Sequence, residues 1–384
     1  MVDCTRRTLL AGAGAAALLP RTAWAEPAIG PSLDVLAGLS GRRFGSAIGG
    51  GHGGPLTRCF DDPAYRAIMA AECGVMTPEN ELKWSVLRRG GAGSFDFAPA
   101  DRLLAFAEAN GMAFRGHTLL WHHPQYTPEW VATHDYGSKP ASEAARLIEE
   151  HVTTVCSHYG RRILSYDVVN EAIDPETGNY RTTPLTQHLS PQEAVDLAFR
   201  AARAAAPEAE LVYNDFMSWE PGSPRHVPAV LELLEGFRKR GVPVDALGIQ
   251  GHIGDPGGAK SAPFAARDER AWRRFLDAVT AMGYKLHITE LDISDKKLPA
   301  PTAERDAQVA DYARAYLDCM LSYPQLGDIV LWGITDQYNW LNGLTPRSDG
   351  LPKRPTPYDD QFRAKPLRAA IADALITAAR RSSI

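Results

Sequence analysis

Cysteine is scarce in this chain: five residues among 384, and Cys4 lies in the leader-like start, leaving Cys59, Cys73, Cys156 and Cys319. Four thiols without zinc-ribbon spacing exclude a disulfide-stapled scaffold, and burial as inert side chains is the expectation. A Cys59–Cys73 bridge stays open in an oxidising compartment, because spacing does not decide pairing. An excess of one charge is lacking too. The formal net charge is -5 with both signs scattered, so nothing marks a nucleic-acid or anionic-membrane partner, and a neutral substrate fits. Beyond residue 25 no apolar run approaches the ~20 residues of a spanning helix. No Ser/Pro/Gly linker, low-complexity tract or short repeat divides residues 26–384, so a single domain is expected there.

What is present begins with an address. Thr5-Arg6-Arg7-Thr8-Leu9-Leu10 precedes a short Ala/Gly/Leu run, and Ala23-Trp24-Ala25 offers small residues at a cleavage position. Residues 1–25 are expected to be a twin-arginine-type signal peptide. The remainder would then be exported, periplasmic or secreted, monomeric, and free of the membrane after cleavage.

Short β-rich runs then alternate with Ala/Leu/Arg-rich stretches of helical period, the pattern of an α/β fold with parallel strands. Strands are expected at 44–48, 75–77, 113–119, 163–169, 210–213, 246–250, 285–289 and 329–334. Helices are expected at 63–72, 99–110, 141–159, 191–206, 228–240, 268–282 and 303–322. Several open near Pro and stop at Gly, as helix termini prefer. Eight β-α units in this length predict a (β/α)8 TIM barrel, with an open doubly wound sheet as the weaker alternative.

The unusual polar residues fall where such a barrel would use them. Glu79-Asn80, His117, Asn170-Glu171, Asn214-Asp215, Gln250-Gly251-His252, Glu290-Leu291-Asp292 and Asp336 all stand at or just past a strand's C-terminal end. Those ends share one face of a barrel, the face that carries chemistry. Glu171 and Glu290 each follow an apolar β-run on strands that lie across the mouth from each other. Paired carboxyls there suit glycosidic cleavage, one donating a proton to the leaving oxygen while the other attacks the anomeric carbon or activates water. A salt-bridged carboxylate at a barrel end is the blander alternative for either glutamate alone.

Seven segments taken together resemble the signature blocks of family 10 glycoside hydrolases, the endo-β-1,4-xylanases, in family order. They are Pro78-Glu79-Asn80-Glu81-Leu82-Lys83-Trp84, Arg115-Gly116-His117-Thr118-Leu119-Leu120-Trp121-His122, Asp167-Val168-Val169-Asn170-Glu171-Ala172, Tyr213-Asn214-Asp215, Gly248-Ile249-Gln250-Gly251-His252, Ile288-Thr289-Glu290-Leu291-Asp292 and Leu331-Trp332-Gly333-Ile334-Thr335-Asp336. The resemblance implies a retaining hydrolase with Glu171 as acid/base and Glu290 as nucleophile. It implies that His252 and Asp292 orient Glu290 and that Asn170 bonds the sugar 2-OH. Glu79, Asn80, Lys83, His117, Trp121, Gln250, Trp332 and Trp340 would bind xylan or xylo-oligosaccharide, with no metal and no cofactor. A related glycosidase acting on β-glucan or short xylo-oligosaccharides, and a non-catalytic sugar-binding barrel, are the competing readings.

The chain departs from the family pattern in three places. The stretch His122-His123-Pro124-Gln125-Tyr126 delays the family's Gln, Tyr166 stands where Trp is usual, and Asn339 stands before Trp340 where Ser is common. Asp167 is expected to make a structural hydrogen bond, and Trp84, Trp130, Trp219 and Trp272 to pack. Residues 174–179 read as a solvated turn, and 254–262 as a flexible loop and not a phosphate cradle.

Overall fold

The computed structural model describes residues 30–382 apart from 54, 55, 57, 223 and 256–261. The expected leader lies outside the described residues, as does most of the Gly-rich stretch 254–262. Eight parallel strands close a barrel: β1 (Phe44–Ile48), β2 (Val75–Pro78), β3 (Ala113–Trp121), β4 (Ser165–Asn170), β5 (Glu210–Asp215), β6 (Ala246–Ile249), β8 (Lys285–Ile293) and β9 (Leu326–Leu331). Each pairs with the next, β6 with β8, and β9 returns to β1. The strands are buried almost throughout, and their polar members, such as Arg115, His117, Asp167 and Glu290, are buried with them. A two-residue strand, β7 (His252–Ile253), runs beside the upper end of β8 and sets His252 opposite Asp292.

Helices form where the expected signals stand. Ser190 caps Pro191–Ala205 with a full capping box to Glu193, and Gly241, in the left-handed region, ends His226–Arg240. Two differences from expectation have physical causes. The last strand runs Leu326–Leu331 and not 329–334. Gly327 and Asp328 disfavour a strand by propensity, but the imidazole of His287 packs against Gly327, where a Cβ would sit 2.7 Å from Cε1. A further long helix, Pro366–Ser382, was not expected, because its Ala-rich sequence has no Gly stop. It packs on Thr302–Met320 and on the short N-terminal helix Leu33–Gly38.

All four described cysteines are free and buried, so the Cys59–Cys73 bridge does not form. Trp84 and Trp272 are buried in the packing, Trp84 stacked on His151, while the indole N–H of Trp219 donates to Tyr312 and that of Trp130 to the Arg88 carbonyl. Tyr166, the Trp replacement, lays its ring against Gly116, where a Cβ would approach within 2.4 Å. The turn reading of 174–179 holds: Asp174 Oδ1 accepts the Glu176 and Thr177 amides.

Candidate active site

One cleft of about 1280 Å³ opens over the C-terminal ends of the strands. Glu79, Asn80, Lys83, His117, Trp121, Asn170, Glu171, Gln250, His252, Glu290, Trp332 and Trp340 all line it, so every expected site residue except Asp292 reaches the same space. Asp292 lies behind His252, its Oδ1 3.1 Å from Nδ1, and accepts the Trp340 indole N–H on Oδ2 at 2.5 Å.

Glu171 leaves β4 with a φ of +56°, a left-handed backbone that a residue with a Cβ rarely adopts outside functional sites. Its amide donates to the Asn214 carbonyl, and its carboxylate accepts Gln250 Nε2 at 2.9 Å, Asn170 Nδ2 at 3.2 Å and Trp121 Nε1 at 3.1 Å. Glu290 lies within β8, which runs on to Ile293, so neither it nor Asp292 follows the strand as expected. Its Oε1 accepts Asn214 Nδ2 at 2.8 Å, and its Oε2 stands 3.3 Å from His252 Nε2.

Asn214 joins the two carboxyls. Its amide also donates to Asn170 Oδ1 at 2.8 Å, and Thr289 Oγ1 donates to its carbonyl at 2.6 Å. A Cβ on Gly248 would sit 2.4 Å from Asn214 Oδ1, so glycine on β6 is what lets this side chain lie flat across the barrel mouth. The sequence carried a signal for Asn214, a polar pair ending an apolar run, yet gave no way to tell it from Asp215. Asp215 is instead buried beneath the floor, where it accepts the Tyr213 hydroxyl and faces His226.

The two carboxyls are pushed in opposite directions. Burial raises Glu171 above the usual carboxylate range, reinforced by the negative fields of Asp215 and Glu290. Burial would raise Glu290 as well, but the His252 hydrogen bond and the positive fields of His117 and His252 leave it below that range. His252 overcomes its own burial through the Asp292 carboxylate and is raised to about 10, so it is cationic at neutral pH. One protonated and one ionised glutamate at the same pH is the state acid-assisted displacement needs.

Beside Trp121 and Trp332, Lys83 Nζ donates to Asn80 Oδ1 at 2.9 Å and Asn80 Nδ2 to the Gly53 carbonyl at 2.7 Å. Glu79 Oε2 is buried without a hydrogen-bond partner among the described residues, and burial lifts this carboxyl to about 7. His117 Nδ1 lies 2.9 Å from Asp167, which also pairs with the buried Arg115, so Asp167 is a support beneath the floor. Asp336, in the segment beyond the last strand, turns away to Lys365 and Thr356. Asn339 caps the short turn behind Trp340, holding the Asp336 carbonyl and the Asn342 amide. Gln125 is outside the lining while His123, Tyr126 and Arg181, none of them expected, are in it. Among the described residues no group of three His, Cys, Asp or Glu is placed to hold a metal.

The family model described as Glycosyl hydrolase family 10 matches residues 32–374. Endo-1,4-beta-xylanase 5 of Pyricularia oryzae is 32% identical over 350 residues, covering 91% of this chain and 78% of the relative. Endo-1,4-beta-xylanase B of Thermotoga neapolitana is 28% identical, covering 89% and 92%. Among solved structures, native xylanase 10B from Thermotoga maritima superposes with a TM-score of 0.78 at 28% identity, over 91% of this chain and 99% of that one.

Proposed function

The chain belongs to glycosyl hydrolase family 10 and is a glycoside hydrolase, and from that premise we propose that it is a retaining endo-β-1,4-xylanase cleaving the xylan backbone by double displacement. The observation that carries the mechanism is the pair of carboxyls in one hydrogen-bonded chain, with Glu171 raised and Glu290 lowered. Glu171 gives its proton to the glycosidic oxygen as the ionised Glu290 attacks the anomeric carbon, and the aglycone leaves. Glu290 is then an uncharged ester. Its field on Glu171 is gone, so Glu171, which has already given up its proton, stays ionised and takes a proton from the water that attacks the anomeric carbon and releases the sugar from Glu290. Asn170 stands beside Glu171 to bond the sugar 2-OH as charge develops. His252, fixed by Asp292, keeps Glu290 ionised between turnovers.

Glu79, Asn80, Lys83, His117, Gln250, Trp332 and Trp340 bind the glycone sugars, the amides, Lys and His offering donors to ring hydroxyls and the indoles apolar faces. Trp121 joins them at the bond to be cut. The protein acts as a monomer without cofactor or metal. Thr5-Arg6-Arg7 and Ala23-Trp24-Ala25 support cleavage of residues 1–25 after twin-arginine export, leaving a single catalytic domain at 26–384 that works in the periplasm or outside the cell.

Wild type should release reducing sugar from xylan far faster than from cellulose or mannan, and Glu290→Ala should abolish it. Proton NMR should show the β-anomer as first product. Equal release by wild type and variant, or an initial α-anomer, overturns the proposal.

A further inference from the structure

The connection after β3 departs from the family pattern, and the structure shows what the change places in the cleft. Thr127 Oγ1 donates to the His123 carbonyl and the Gln125 amide to His123 Nδ1, folding Pro124–Tyr126 into one tight turn. That turn lays the Tyr126 ring on the indole of Trp121, centroids 3.7 Å apart and planes 16° from parallel. Lys83 Nζ lies 4.4 Å from the same indole centroid. A ring stacked at 3.7 Å fills the face it covers, which puts the ammonium on the other. With both faces taken, Trp121 offers its edge, and the edge N–H reaches Glu171 Oε2 at 3.1 Å.

We propose that Tyr126 is a positioning residue for Glu171: its ring holds the Trp121 indole in the one orientation that aims Nε1–H at the carboxyl oxygen. The proposal rests on the reading of Glu171 as acid/base. The contact that does this is a stack of ring on ring. Without the stack, the indole turns about its χ angles and the carboxyl loses the donor on Oε2. That donor favours the ionised form, so its loss moves the acid/base titration upward and leaves the proton less well aimed at the leaving oxygen.

The test compares kcat/KM on phenyl β-xylobioside, whose leaving group needs a proton, with the 2,4-dinitrophenyl analogue, whose leaving group does not. Tyr126→Ala should lower the phenyl-to-dinitrophenyl ratio by roughly tenfold, a part of the 10²–10⁴ that proton transfer contributes. Its alkaline limb should move up by roughly one pH unit, the size of a lost hydrogen bond to an ionised group. Tyr126→Phe, which keeps the ring, should restore the wild-type ratio. Equal losses on both substrates, a rise in KM alone, or a Phe variant as impaired as the Ala variant overturns the proposal. Glu171→Ala measured in parallel separates the two claims. If it leaves the substrate ratio unchanged, the acid/base reading fails whatever Tyr126 does.

Discussion

His252 governs the state of Glu290 at the residue scale, and the reason is a three-body arrangement. Alone, a buried imidazole would lose its proton; beside Asp292 it keeps the proton to about 10 and lends its charge to Glu290. The sign of the consequence is fixed. As the proposed nucleophile, a Glu290 held below the usual carboxylate range keeps the enzyme active toward acid, and activity fails as pH falls through its depressed pKa. His252→Asn removes the cation, so the acid limb of kcat/KM should move up by about 1–2 pH units, as expected for loss of a close opposite charge. Asn214→Ala removes only a neutral donor, so the same limb should move in the same direction by less. A pH profile in which His252→Asn shifts nothing would remove His252 from the account.

Glycines decide what the elements can do. Gly248 on β6 faces Asn214 on β5, and a methyl group there would overlap Asn214 Oδ1. Gly248→Ala should therefore cost activity out of proportion to stability: kcat down by at least tenfold, a loss of ~1.4 kcal/mol in transition-state binding, with the denaturant midpoint shifted far less. Equal kcat in wild type and variant would show that Asn214 needs no fixed place. A second case is Glu220, in the segment after β5. One oxygen of its carboxylate accepts both the Gly254 amide and the Tyr312 hydroxyl at 2.7 Å, just beyond β7. Glu220→Ala should raise the acid limb as the His252 variant does, while Glu220→Gln, still an acceptor, should not; matching profiles for the two variants would exclude this anchor. None of this was legible in the sequence, because a glycine within an apolar run looks alike whether it spares room for a catalytic neighbour or merely for a packed ring, as Gly116 does for Tyr166.

Across the whole molecule, Glu72 joins segments from near the two ends of the described chain. It is buried, accepts the Leu33 amide at 2.7 Å and Arg368 Nε at 2.8 Å, and takes the Tyr358 hydroxyl as well. Removing it takes the carboxylate from three buried donors while Arg368 keeps the Pro31 carbonyl, a loss of about 3 kcal/mol. Glu72→Ala should lower the urea midpoint accordingly while the pH profile of the folded enzyme stays as it was. An unchanged midpoint would show that the helices hold without it.

The division between sequence and tertiary structure follows distance along the chain. Strand order, barrel closure and the placement of Glu171 and Glu290 at the mouth were carried by local signals: apolar runs, helix stops, and polar residues ending strands. Each is a property of a few consecutive residues, and a closed parallel barrel gathers such ends on one face. Contacts between distant residues were decided only by folding. Register sets His252 opposite Asp292, Asn214 spans three strands, Tyr126 settles on Trp121, and Pro366–Ser382 returns to the first helix. Side-chain hydrogen bonds and ring stacks depend on ångström-scale approach, and that is fixed by packing and not by the order of residues.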